Sequence, residues 1–264
     1  VASASTLDLN GYTLSNTLTS PGNGAVFTNT SATKATVSTG FNTGHTGGVV
    51  ISDFTVGSNN GDIDWNGDIY RTSFSGTITK DGSNKVTFGG EINNMGLNLT
   101  AGTADLSGSI SGTANATIAN GATMNVTTGG LMDGVNLTTV VGAFNLMAGG
   151  VYDFDIGANG VNDQITGTGT VSLDGIFSFD LSSADITHGN SWQIVDFTSL
   201  AGGFGSGFSV SGFSETSNIW TKVNGNNTWT FAESNGTLNL TVVPEPGAAL
   251  TGGIGLLLLL RRRR

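Results

Sequence analysis

Apolar residues return along this chain at a nearly constant interval. Leu99, Ile118, Leu137 and Ile156 lie 19 residues apart at each step, and Leu106, Val126, Leu146 and Ile165 step by 20, 20 and 19. Two interleaved series with one period arise when a chain coils, each turn holding two or three short strands. Each strand then pairs with its counterpart one turn above, ~4.8 Å away. The spacing predicts an all-β chain folded as a right-handed parallel β-helix. A β-sandwich is the alternative that the local alternation also allows, although it does not call for a fixed period.

The local pattern agrees with short strands and tight turns. Leu7, Leu9, Leu14 and Leu18 alternate with polar residues around an Asn10-Gly11 turn, and similar units repeat to about residue 157. Forty-two glycines and only three prolines suit many tight turns, while the lack of a glycine at every third position excludes collagen. Recurrent Val, Ile, Leu and Phe argue against disorder. Ala104, Ala116 and Ala122 fit a narrow interior, with Thr and Asn ladders facing water. After residue 157 the strands lengthen and become aromatic, as in Ile176-Phe177-Ser178-Phe179-Asp180-Leu181. Trp192, Trp220 and Trp229, three of the four tryptophans, lie there with half of the phenylalanines. Bulky apolar residues at the end of a coil would close its open edges, so residues 1–157 are expected to be coils and 158–242 the last coils with a cap. A sugar-stacking platform is the functional alternative for these aromatics.

The chain ends in three physically different pieces. Pro244 and Pro246 end the preceding strand and hold Glu245 in extended, exposed backbone. Residues 247–260 form an apolar run of 14, against the ~20 needed to cross a bilayer as a helix, so the run spans only with thinning. Arg261, Arg262, Arg263 and Arg264 follow, and their charge keeps that end cytoplasmic and places the body outside. Ala2 and Ala4 match the small-residue pattern of a secretory cleavage site, which suggests a signal peptide upstream. Ahead of Arg261 the chain carries five basic and nineteen acidic residues, a net charge of −14, which excludes nucleic acid and anionic lipid as partners of the body. The absence of cysteine removes disulfides, thiolate metal sites and cysteine nucleophiles.

The tripartite tail, residues 243–264, resembles the PEP-CTERM sorting signal of bacterial envelope proteins. That resemblance implies that a membrane-embedded exosortase-type enzyme reads Pro244-Glu245-Pro246 and removes the tail, releasing the body or attaching it at the cell surface. The polar exterior expected of the body is suited to packing beside hydrated polysaccharide, so exopolysaccharide is the expected associate. The stretches Leu97-Asn98-Leu99-Thr100-Ala101-Gly102-Thr103-Ala104-Asp105-Leu106 and Ala119-Asn120-Gly121-Ala122-Thr123-Met124-Asn125-Val126 resemble the passenger repeats of autotransporters, which implies the fold and not an activity.

Three constellations could carry chemistry. Asp62-Ile63-Asp64-Trp65-Asn66-Gly67-Asp68-Ile69 matches the first eight positions of a Ca²⁺ loop, with Asp62, Asp64, Asn66 and Asp68 as the oxygen-bearing residues. Its twelfth position is Ser73, where a bidentate carboxylate belongs, so an acidic turn between strands is the plainer expectation and no cofactor is assigned. Residues 157–165 make one approximate copy of a Ca²⁺-binding nonapeptide, and a single copy cannot share ions between turns. Asp153 and Asp155 share one strand face, as paired acids of a polysaccharide hydrolase or lyase would. His45 and His188 sit in separate Gly-rich turns, and no nucleophile, base and acid line up. The expectation is therefore an exported, non-enzymatic surface or matrix protein. A surface adhesin or polysaccharide-binding module is the first alternative and a β-helix carbohydrate enzyme the second.

Overall fold

The computed structural model describes residues 5–15, 23–38, 41–42, 53–70, 76–108, 110–126, 137–200 and 203–243. Among them the chain is all-β, with twenty-seven strands and no helix. Two sheets, of thirteen and nine strands, pair in parallel throughout, whereas a β-sandwich is built from antiparallel sheets. A third sheet, of five strands, is antiparallel.

The parallel strands fall into three ladders that the chain visits in fixed order. The first runs from Thr6–Asp8 through Ala25–Thr28, Phe54–Val56, Thr77–Lys80 and Gly96–Leu99 to Thr170–Leu173. The second runs from Thr13–Leu14 through Ala35–Val37, Ile63–Trp65, Lys85–Phe88, Gly102–Leu106, Ala122–Val126, Val151–Asp155 and Ile176–Asp180 to Ser209–Val210. The third holds Phe41–Asn42, Ile69–Tyr70, Ile92–Asn93, Gln164–Gly167 and Val195–Phe197. The long strands Ile110–Ile118 and Leu137–Leu146 each serve the third ladder with their first residues and the first ladder with their last, which joins these two into the thirteen-stranded sheet.

Most of the parallel strands alternate, and their inward residues stack into columns. In the first ladder Leu7, Phe27, Val56, Lys80, Leu99, Ile118, Leu146 and Leu173 are successive register partners. In the second, Ala35, Ile63, Val86, Ala104, Met124, Tyr152, Phe177 and Val210 are. Ala104, Ala116 and Ala122 are buried, and Ala104 lies between the larger Val86 and Met124, which fill the space beside it.

The two spacing series hold only in part. Leu99 pairs with Ile118 and Leu106 with Val126, as the 19 and 20 residue steps predict. Beyond them the partners change: Ile118 pairs with Leu146, Leu137 with Gln164, Thr138 with Ile165, and Ile156 bridges Asn162. Steps in the first-ladder column are 20, 29, 24, 19, 19, 28 and 27 residues. The strands keep their register while the connections between them differ in length.

The antiparallel sheet runs in the order Ser191–Gln193, Thr237–Val242, Asn227–Ala232, Ile219–Asn224 and Ser214–Thr216. Its buried Phe231 sets its ring 5.8 Å from those of Phe177 and Phe179, and 6.0 and 6.1 Å from Phe204 and Phe208. Phe177 and Phe179 belong to the second ladder, so one aromatic cluster joins the antiparallel sheet to the parallel stack.

Candidate functional site

Among the described residues, ionisable groups concentrate on the outward face of the second ladder. Its central column is Thr36, Asp64, Thr87, Asp105, Asn125, Asp153 and Ser178, each the register partner of the next. A carboxylate on every second rung and a neutral residue between keeps like charges about two rungs, ~9.6 Å, apart. Lys34 Nζ pairs with Asp64 at 2.5 Å and Lys85 Nζ with Asp105 at 2.9 Å, and Asn125 Nδ2 donates to Asp105 Oδ1 at 3.1 Å. The Asp105 bond and charge raise the Lys85 ammonium above its ordinary value.

The residues of the Ca²⁺-loop pattern lie along this face and the adjoining turn. Asp62 Oδ1 accepts from the Lys85 amide at 2.9 Å, Asp64 is held by Lys34, and Asp68 Oδ1 accepts from the Glu91 amide at 2.9 Å. Ile63 and Trp65 point inward between the acids, and Asn66 is exposed beside Gly89. Each carboxylate therefore reaches to a different partner, two of them on the next rung, and the set does not converge as a Ca²⁺ loop requires. Among the described residues no three His, Cys, Asp or Glu side chains are grouped to hold a metal. Ser73 lies outside the described residues.

Asp153 and Asp155 occupy one half-exposed face of Val151–Asp155, opposite buried Tyr152 and Phe154. Burial pushes the Asp153 carboxyl above its ordinary value; a Ser178 hydrogen bond opposes the shift, and Asp155, Asp105 and Asp180 add to it. Asp155 is the register partner of Asp180, whose carboxyl is held low by the Ser182 amide and side chain. The face gathers the negative charges of Asp105, Asp155 and Asp180 around Asp153, an arrangement that favours its protonated form.

The glycine- and aspartate-rich turn at 157–165 is a joint. Asn159 Oδ1 accepts from the Ser191 amide at 2.9 Å, Asn162 Nδ2 donates to Gln193 O at 2.7 Å, and Trp192 Nε1 donates to Ala158 O at 2.7 Å. Asp163 Oδ2 accepts from the Asp155 amide at 2.6 Å. These bonds fix Ser191–Gln193 of the antiparallel sheet to the parallel stack. His188 Nδ1 accepts from the Val242 amide at 3.0 Å, which makes it a fastener of the last described strand.

The aromatic residues are mostly interior. Trp192 and Trp229 are buried with ring centroids 5.4 Å apart, and Trp65 is buried between Phe27 and Phe54. Trp220 alone of the four is partly exposed, its Nε1 donating to Glu233 Oε1 at 2.8 Å. A stacking platform built from Trp192 and Trp229 has no face to offer a sugar.

One functional group was not singled out by the sequence. Lys80 sits at an inward position between Val56 and Leu99, fully buried, its Nζ donating to Gly82 O at 2.7 Å, Ala101 O at 3.0 Å and Asp81 O at 3.2 Å. Burial lowers its pKa to about 8, opposed by the charges of Asp81 and Asp62. The signal was present in the alternation of Ile78, Thr79 and Lys80, which assigns Lys80 the inward face. Pro244, Glu245, Pro246 and the four arginines lie outside the described residues, as does His45. Among the described residues no helix is long and apolar enough to cross a membrane.

No family model matches the chain, and no curated protein matches it.

Proposed function

We propose that this is an exported, non-enzymatic structural protein of the cell surface or extracellular matrix, associated with exopolysaccharide and sorted by an exosortase-type membrane enzyme. Its body is a right-handed parallel β-helix. Three parallel ladders visited in fixed order, with inward columns in register, support that reading, and right-handed crossovers are the rule for parallel strands. The antiparallel sheet of residues 191–242 is its cap. Residues 1–157 are coils, 158–242 the last coils and cap, and 243–264 the sorting signal. The non-enzymatic reading is supported by Asp62, Asp64, Asp68 and Asp105, which hold amides and lysines of neighbouring rungs.

The sorting reading is carried by one observation: the order Pro-Glu-Pro, apolar run, arginine cluster begins one residue after the last described strand, Thr237–Val242. Glu245 between its prolines is the recognition element, the leucines hold it at the membrane, and the arginines fix topology. Intact mass and fractionation of the mature protein test it. Loss of about twenty C-terminal residues with appearance outside the inner membrane is expected, while Pro244→Ala with Pro246→Ala should leave a folded protein in the membrane fraction. Normal release of that double variant would refute the sorting role.

A further inference from the structure

The outward face of the first ladder differs from the acidic second face. Its central column is Thr55, Thr79, Asn98, Thr117, Asn145 and Ser172, all uncharged and half- or fully exposed, each the register partner of the next. At one rung per ~4.8 Å these six positions extend for ~24 Å.

At its N-terminal end the column opens into a groove of about 360 Å³ lined by Thr28, Thr30, Thr55, Asn59, Asn60 and Asp81. Two glycines shape it. A Cβ on Gly57 would fall 1.8 Å from Asp81 O, and one on Gly82 would fall 2.3 Å from Ser58 O, so the turns stack closely only because both side chains are absent. The rim is fixed: Asn60 Nδ2 donates to Thr30 O at 3.0 Å and Asn59 Oδ1 accepts from the Ser83 amide at 3.0 Å. Asn59, Asn60, Thr28 and Thr55 all belong to the lining, which brings two side-chain amides and two hydroxyls to the groove. The Asp81 carboxylate is held below its ordinary value by the Thr100 hydroxyl and the Gly82 amide, so it presents an acceptor at neutral pH.

We propose that this groove and the uncharged column beyond it bind one chain of a neutral polysaccharide along the ladder axis, a site that rests on the polysaccharide-associated reading above. Hydroxyl donors and acceptors, side-chain amides and one carboxylate are the groups that recognise sugar hydroxyls. No Lys, Arg or His lines the groove, and the protein carries a net charge of −10, so an anionic polymer is repelled. A regular row of polar groups suits a ligand that itself repeats.

Isothermal titration with cellohexaose and laminarihexaose, and with polygalacturonate as the anionic comparison, tests the site. Binding of at least one neutral hexasaccharide and none of polygalacturonate is expected. Thr28→Val with Thr55→Val keeps the β-branched shape and should weaken that binding at least about tenfold by removing two hydrogen-bonding hydroxyls. Thr87→Val on the acidic face should leave it unchanged. If the double variant melts early, Thr28→Val alone carries the comparison. Absence of binding to both hexasaccharides, undiminished binding by the valine variants, or a preference for polygalacturonate would each overturn the proposal. Tail processing is read separately by mass, so failure here with normal processing removes the groove and leaves the sorting reading standing.

Discussion

Lys80 places an ammonium where its column neighbours are valine and leucine, and the three carbonyls it reaches explain how it is tolerated. Replacing it with methionine fills the same volume but strands those acceptors, so Lys80→Met should lose about 1–3 kcal/mol at pH 7. The lowered pKa sets a sign. Between about 8 and the ordinary 10.5 the unfolded chain binds a proton that the folded chain does not, so wild-type stability rises with pH relative to the methionine variant. Urea titrations of both proteins at pH 7 and pH 10 should show the gap widening; a narrowing gap would mean that the carbonyls hold the charged form more strongly than burial opposes it. Asp153 behaves in the opposite sense. Its raised pKa makes the folded state hold a proton that the unfolded state has released, so its contribution is favourable in acid and is lost as pH rises above 3.8. Asp153→Asn should therefore stabilise the protein at pH 7 by up to about 1 kcal/mol, after allowance for solvent screening, with the gain vanishing in acid. A carbohydrate-cleaving enzyme would instead lose turnover in that variant.

Strands and turns differ in how far they can be read from sequence. The steps from Leu99 to Ile118 and from Leu106 to Val126 were readable because those turns have similar lengths. Leu137 and Ile156 misled because residues 127–136 intervene before Leu137 and the partners shift; a fixed period cannot register a longer connection. Inward alternation was readable at Tyr152 and Phe154, and the interior alanines at Ala104 and Ala116, since strand geometry alone decides the face. The acids were harder. Asp62 and Asp68 resemble metal ligands in a linear string, and only the parallel register reveals the amides of Lys85 and Glu91 that they meet one rung away. Lys80 was missed for the converse reason, because residue type argued outward while position argued inward. The aromatic junction gives a prediction at this level. Phe231→Ala should cost about 3–5 kcal/mol, since the ring is buried against phenylalanines of both the parallel and antiparallel sheets. Hydrogen exchange should show the loss first in the strands at 191–242, and uniform loss along the whole stack would mean that the two parts unfold as one unit.

Over the molecule as a whole, the central outward columns of the first and second ladders differ in charge, with Asp8 and Asp81 as the carboxylates at the N-terminal end of the first. The second ladder carries Asp62, Asp64, Asp105, Asp153 and Asp180, and the first presents Thr79, Asn98, Thr117 and Asn145. Binding through the neutral face should be nearly indifferent to salt, so the hexasaccharide affinity should change less than about twofold between low and high ionic strength. A steep salt dependence would place the ligand on the acidic face. The uneven first-ladder steps, from 19 to 29 residues, also bear on how such a molecule changes over time. Lengthening a flexible connection is cheap, about 0.6 kcal/mol for each doubling, whereas one added residue inside a strand turns every later side chain of that strand to the opposite face. Insertions and deletions are thus filtered by position, and descendants of this chain can diverge widely in length while sharing one stacked frame.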